Sequence, residues 1–168
     1  MDTLAKYVQN KAPWKGGTDR PARAIPIDIQ ASLAVLSKRA PVYLTEQDRK
    51  RRLNLSGTDL RGLDLRGEAH LENFILENVH LEASFLRGIH LEKALLTNAS
   101  LEGADLYAAH FDSDTDLAGT NLSQTDLQQA EGLDPKTIQQ AYHWECAKYS
   151  GDFLEKAREE ASEDVQCK

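Results

Sequence analysis

The chain has 168 residues, is 40% hydrophobic, 28% charged and only 7% aromatic, and carries a net charge of −7. That is the composition of one globular domain with an aliphatic core, burying about two-thirds of its unfolded surface. It excludes a collagen, a disulfide-framed miniprotein and a membrane span: Cys146 and Cys167 have neither framework nor zinc-ligand spacing, and no apolar run approaches the ~20 residues a span needs.

The start, MDTLAKYVQNK, lacks the apolar stretch of a secretory leader, so a cytoplasmic location without membrane insertion is expected. Residues 1–52 are basic, with 11 Lys and Arg against 5 Asp and Glu, and the remainder is acidic, with 9 against 22. An acidic body repels phosphates, so no nucleic acid partner is expected. Residues 2–12 suit a short helix before Pro13, and Gly16-Gly17 a linker turn. The spacing predicts a second helix over 28–39, with Asp28 as N-cap and Ile29, Leu33 and Leu36 on one face. The basic run Arg49-Lys50-Arg51-Arg52 reads as a solvated linker.

From Leu53 the chain falls into fives: LNLSG, TDLRG, LDLRG, then, after the extra Glu68, nine more, and after Asp114 a final three. Fifteen pentads fill 53–129. Their central residues are Leu55, Leu60, Leu65, Leu71, Leu76, Leu81, Leu86, Leu91, Leu96, Leu101, Leu106, Phe111, Leu117, Leu122 and Leu127, which form the expected core. The residue two before each is Ala, Ser or Thr in ten of the fifteen. Five residues of α-helix turn the chain by about 500°, which scatters the leucines over every face. In a flat strand an odd spacing sends them to alternate faces. A solenoid satisfies the pattern if each pentad makes one side of a coil and each coil covers the next.

The run resembles the pentapeptide-repeat family, whose pattern is A(D/N)LXX. The resemblance implies an all-β solenoid: a right-handed quadrilateral parallel β-helix of about four coils, twenty residues per coil, with α-helical caps at both ends. Residues 1–52 are then an N-terminal cap and linker, 53–129 the β-helix, and 130–168 a C-terminal cap and tail. The flanks AKYVQNKAPW (5–14), PIDIQASLAVLSKR (26–39) and GLDPKTIQQAY (132–142) are similar to those around the repeats of larger bacterial members, many anchored in membranes upstream; with Met1 opening this sequence, no anchor is expected.

At the C-terminal end Asp134-Pro135 suits an N-cap with proline at the first helical position. Ile138, Tyr142, Cys146, Tyr149 and Phe153 follow at spacings of three and four, predicting one amphipathic helix. That stripe has two uses, capping the last coil or pairing two subunits as a homodimer, and capping is the expected one. The charged tail EKAREEASEDVQCK is expected to fray.

The outward residue before each central leucine departs from the family's Asp or Asn mainly in the middle of the run. His70, His90 and His110 fall there one coil apart, with Glu72, Glu92 and Asp112 two places on. Such columns serve either a divalent metal or mutual compensation, in which imidazolium relieves stacked carboxylates and makes stability pH-sensitive. Compensation is the expected role, and no metal or other cofactor is assigned. Ile75 and Leu95 also stand outward on one side with Phe85 opposite, and are the candidates for a protein interface unless the N-terminal segment covers them.

No nucleophile elbow, phosphate loop or HExxH motif occurs, and His143 beside Trp144 suits packing better than catalysis. The reading is a non-enzymatic protein-binding module with a partner protein not identified by the sequence. Two alternatives stand beside it. One, which the family resemblance implies, is an acidic DNA mimic acting on a type II topoisomerase; 13 acidic against 4 basic residues over the repeats fit it, and a rod shorter than that of such relatives opposes it. The other is a metal- or pH-responsive surface through the histidine column.

Overall fold

The computed structural model describes residues 2–16, 25–38, 52–67, 69–161 and 167. Of the basic run 49–52, only Arg52 lies among them; of the tail 155–168 expected to fray, residues 155–161 are helical and 162–166 and 168 lie outside the described residues. Among the described residues, four short helices flank the repeats: α1 (Asp2–Lys11), α2 (Ile27–Ser37), α3 (Pro135–Ile138) and α4 (Phe153–Ala161), with a 3₁₀ turn at Trp144–Cys146.

The repeats wind into stacked coils. Parallel pairings join residues 20 apart where pentads run on, as in His70–His90 and His90–His110, and 21 apart across the extra residues, as in Asn54–Ile75 and Leu95–Asp116. The ladder follows from the pentad itself. The central leucine donates its N–H to the following coil (Leu60 to His80 O, 2.8 Å), and the residue before it donates to the preceding one (His80 to Thr58 O, 2.9 Å). The corner is a tight turn: Ala99 N–H returns to Leu96 O at 2.8 Å. Its third residue must take positive φ, which is why Gly or Asn so often ends a pentad (Gly62, φ 72°; Asn98, φ 56°).

Each coil therefore points two residues per pentad inward. Every central residue is buried, as is every residue two places before it. Small side chains at the second position fit beside leucine, and buried threonines are satisfied there: Thr120 Oγ1 donates to Leu96 O at 2.8 Å and Thr125 Oγ1 to Leu101 O at 2.9 Å. Such a pairing removes the cost of burying a hydroxyl.

The N-terminal helices close the first coil rather than lying along a side. Pro13 pairs antiparallel with Thr58, and Ser37 O accepts from His70 N–H at 2.7 Å. Ile29, Leu33 and Leu36 of α2 are buried, as expected for the covering face. Asp28 is not the N-cap, however. Pro26 holds that place, and Asp28 in the first turn accepts from the Tyr7 hydroxyl at 2.5 Å, tying α2 to α1 and drawing its carboxyl below the usual range.

The C-terminal segment corrects the expectation of one amphipathic helix. The last coil's backbone needs partners, and Tyr142 and Lys148 supply them by pairing with Asn121 and Asp126. Coil-to-coil bonding thus continues past residue 129. His143 (φ 54°) and Gly151 (φ 59°) break helical continuity. Tyr142 is exposed instead of lining a helix stripe, while Ile138 and Ala157 bury the α3–α4 contact. Asp134 does cap α3, accepting from Lys136 N–H at 2.9 Å and Thr137 N–H at 3.0 Å. The two cysteines, read from sequence as making no disulfide framework, are joined in one bond with Cα atoms 5.0 Å apart. The 21-residue separation hides it from a reading of local spacing.

Candidate interaction surfaces

Four outward columns follow from the pairing. The first carries Asn54, Ile75, Leu95 and Asp116; the second Asp59, His80, Ser100, Asn121 and Tyr142; the third Asp64, Phe85, Asp105, Asp126 and Lys148; the fourth His70, His90, His110 and Glu131.

On the fourth side the imidazoles stack, with centroids 4.7 Å (His70–His90) and 4.3 Å (His90–His110) apart and planes within 16° and 8°. Coil spacing sets these distances, so the backbone builds the ladder. His70 Nδ1 lies 2.6 Å from Glu72 Oε1 and His90 Nδ1 3.1 Å from Glu92 Oε1. A carboxylate only accepts, so each ring donates its Nδ1 proton there. The third rung differs from expectation: His110 Nδ1 reaches Glu131 Oε2 at 3.4 Å, not Asp112. Asp112 Oδ1 is taken by the amides of Lys93 (3.0 Å) and Asp114 (3.1 Å) at the corner that absorbs the extra residue. His70, Glu72 and His90 place donor atoms within 4.8 Å of one another, yet nearly parallel stacked rings send their in-plane lone pairs side by side rather than toward one point.

On the second side Trp14 stacks on His80 at 3.5 Å, with the Arg61 guanidinium 4.8 Å from the Trp14 ring. Among the described residues, the N-terminal segment thus places Trp14 over His80. Ile75 and Leu95 are half-buried on the first side.

The third side is the most open apolar surface of the repeats. Phe85 is 47% exposed and Tyr107, one corner away on the next coil, is 37% exposed. Arg66 lies 5.3 Å from the Phe85 ring centre and Arg87 4.9 Å from that of Tyr107. Each arginine is held by a carboxylate: Arg66 by Asp64 at 2.6 Å and Arg87 by Asp105 at 2.7 Å. The Arg66 hydrogen bond draws the Asp64 carboxyl below its ordinary range. Cation–π placement and ion pairing thus pre-set both guanidiniums. Sequence reasoning singled out Phe85 and missed Tyr107, Arg66 and Arg87; the signal was the coil period, since Arg87 lies two residues after the outward Phe85, and Arg66 and Tyr107 lie one coil either side of Arg87.

Residues 75–112 match the family model described as pentapeptide repeats, in eight copies. The chain carries pentapeptide repeats. Among solved structures it is similar to the pentapeptide repeat protein Rfr23 of the cyanobacterium Cyanothece, at 25% identity over 70% of this chain and 76% of that one, with a TM-score of 0.49. It is similar to HetL, a pentapeptide repeat protein involved in heterocyst differentiation regulation in Nostoc, at 34% identity over 46% of this chain and 34% of that one, TM-score 0.37. It is also similar to QnrB1, a plasmid-mediated fluoroquinolone resistance protein, at 21% identity over 67% and 57%, TM-score 0.38. The pentapeptide chain thus spans about a third of HetL and just over half of QnrB1. No curated protein sequence matches it. Among the described residues no helix is long and apolar enough to cross a membrane.

Proposed function

We propose that this pentapeptide-repeat chain is a non-enzymatic protein-binding rod, a right-handed four-sided β-helix over 53–129 with caps on either side. Its working surface is the third side. The observation that carries this reading is the Phe85–Tyr107 pair, exposed and flanked by Arg66 and Arg87. Aromatic residues and arginine are the side chains that concentrate binding energy at protein interfaces. Coil-to-coil hydrogen bonds fix the backbone beneath them, which lowers the ordering cost of binding. Asp64, Asp105 and Asp126 in the same column disfavour a phosphate backbone and favour a protein surface.

The acidic-mimic reading is weaker. A mimic needs unpaired negative charge, whereas Asp59, Asp64, Glu72, Glu82, Glu92 and Asp105 each lie against an arginine or histidine of this chain. Inhibition of gyrase supercoiling by the purified protein would overturn this ranking.

The docking test captures proteins from the native cell on wild type, Phe85→Asp and, as an opposite-side control, Leu95→Asp. Recovered proteins are then re-expressed and titrated singly. A partner that binds wild type and Leu95→Asp but loses at least tenfold in affinity for Phe85→Asp supports the third side. A partner indifferent to Phe85→Asp, or lost only with Leu95→Asp, moves the interface to the first side.

A further inference from the structure

The last coil closes on a cluster that neither the rod nor its docking side uses. His143, Glu145 and Cys146 each place one donor atom within 4.8 Å of the others, and Cys167 is bonded to Cys146. The Trp144–Cys146 3₁₀ turn, closed by Cys146 N–H to His143 O at 3.0 Å, brings residues three apart onto one edge. The turn is held from both sides: Tyr142 and Lys148 pair with the preceding coil, and Gln124 N–H donates to Cys146 O at 3.3 Å. His143 sits at φ 54° at the entry to the 3₁₀ turn, which fixes where its side chain leaves the backbone. Its side chain is 55% exposed, while Glu145 is 11% exposed. One donor is thus anchored in the wall and the other open to an incoming ligand.

We propose that, once the Cys146–Cys167 bond is reduced, this cluster binds a zinc-class divalent cation through the two thiolates, the His143 imidazole and the Glu145 carboxylate. Two sulfurs, one nitrogen and one oxygen complete a tetrahedral set for a borderline-soft ion. Cα atoms 5.0 Å apart let both sulfurs reach one centre at the ~2.3 Å zinc–sulfur distance. The chemistry balances. A dithiol reductant gives two electrons and two protons to the disulfide and becomes a disulfide itself. The cation then displaces the two thiol protons and takes neutral imidazole. The end of the rod therefore has two mutually exclusive closures, covalent when oxidised and metal-bound when reduced. The spacing rules for zinc ligands miss this set because Cys167 lies 21 residues from Cys146. The histidine ladder is the poorer site, since its lone pairs run parallel and its Nδ1 protons are committed to carboxylates.

The test uses the full chain, reduced, freed of reductant without air, and titrated with Co²⁺ and then Zn²⁺. One ion per chain is expected, with thiolate-to-cobalt charge-transfer absorption and tetrahedral d–d bands that Zn²⁺ abolishes. The oxidised chain gives neither band. His143→Ala and Glu145→Gln each weaken binding at least tenfold, Cys167→Ser halves the charge-transfer intensity, and the double variant His70→Ala/His90→Ala binds as wild type. A reduced chain without the bands, whether or not its circular dichroism is native, overturns the proposal. So does binding that survives Cys146→Ser with Cys167→Ser, that disappears with the ladder variant, or that is unmoved by both His143→Ala and Glu145→Gln.

Discussion

Gly132 is the residue on which the chain leaves the last repeat. Its φ is +76°, and a Cβ there would lie 1.9 Å from the Phe111 carbonyl oxygen and 2.6 Å from its carbon. That neighbour is backbone and cannot swing aside, because Phe111 N–H is bonded to Glu131 O at 2.9 Å. Gly62 is the matched control, with φ +72° and nothing within 4 Å of its Cβ position. Gly62→Ala meets only the left-handed cost of about 1–2 kcal/mol, less about 0.4–1 kcal/mol from a stiffer unfolded chain, for a net loss near ~1 kcal/mol. Gly132→Ala adds the cost of overpacking, about 1–3 kcal/mol, for a total of about 2–4 kcal/mol. With a urea slope of about 2 kcal/mol per molar, the midpoints fall by ~0.5 M and ~1–2 M respectively. Equilibrium urea unfolding of both variants decides it. Equal midpoints would refute the claim that close coil-to-coil approach, rather than backbone conformation alone, selects glycine at 132.

Ala83 ends a pentad at φ 54°, so Ala83→Gly raises stability by about 1 kcal/mol at most, read as a higher midpoint in urea unfolding. Thr120→Val keeps the volume of a buried side chain but removes its bond to Leu96 O, which lowers stability by about 1 kcal/mol and the melting temperature by a few degrees. His90→Ala removes both ladder stacks and leaves Glu92 without its ring partner; a loss of about 1–2 kcal/mol is expected in thermal unfolding, and an unchanged melting temperature would make the ladder ornamental. The Thr137 hydroxyl, followed by the Thr137 and Lys136 amides, holds the Asp134 carboxyl below its ordinary range. Its folded value is depressed, so its contribution is complete above the usual carboxylate range and lost as pH falls through the depressed value. Asp134→Ala therefore costs about 1 kcal/mol at neutral pH, and the melting temperatures of variant and wild type converge in strong acid.

The repeat was legible because its signal is a period no other element shares: every fifth residue apolar, the residue two before it small, and Gly or Asn at the corner. The stacking of His70, His90 and His110 was legible for the same reason, since no insertion lies between them. Their partners were only partly so. Glu72 and Glu92 pair within their own pentads, but the extra Asp114 turns Asp112 toward backbone amides and leaves Glu131 of the next coil to meet His110. The C-terminal cap misled because Ile138, Tyr142, Cys146, Tyr149 and Phe153 satisfy helical spacing while the unpaired edge of the last coil demands extended backbone; the edge won at Tyr142 and Lys148. The disulfide and the arginines beside Phe85 and Tyr107 were invisible for a further reason. Both depend on which residues come together across coils or across the cap, and a linear pattern carries that only after the coil length is known.

The two ends of the rod have a consequence for how the molecule behaves in a crowded solution. A stack of coils terminates in a flat ring of amides and carbonyls at each end, and an open ring would template the next molecule as a growing fibril does. Here the leading ring is occupied by Ala12, Trp14 and Ser37, and the trailing one by Tyr142 and Lys148. The flanking segments are in this sense chain terminators: they occupy backbone groups that would otherwise template a further coil, and trimming either would expose an edge for end-to-end growth.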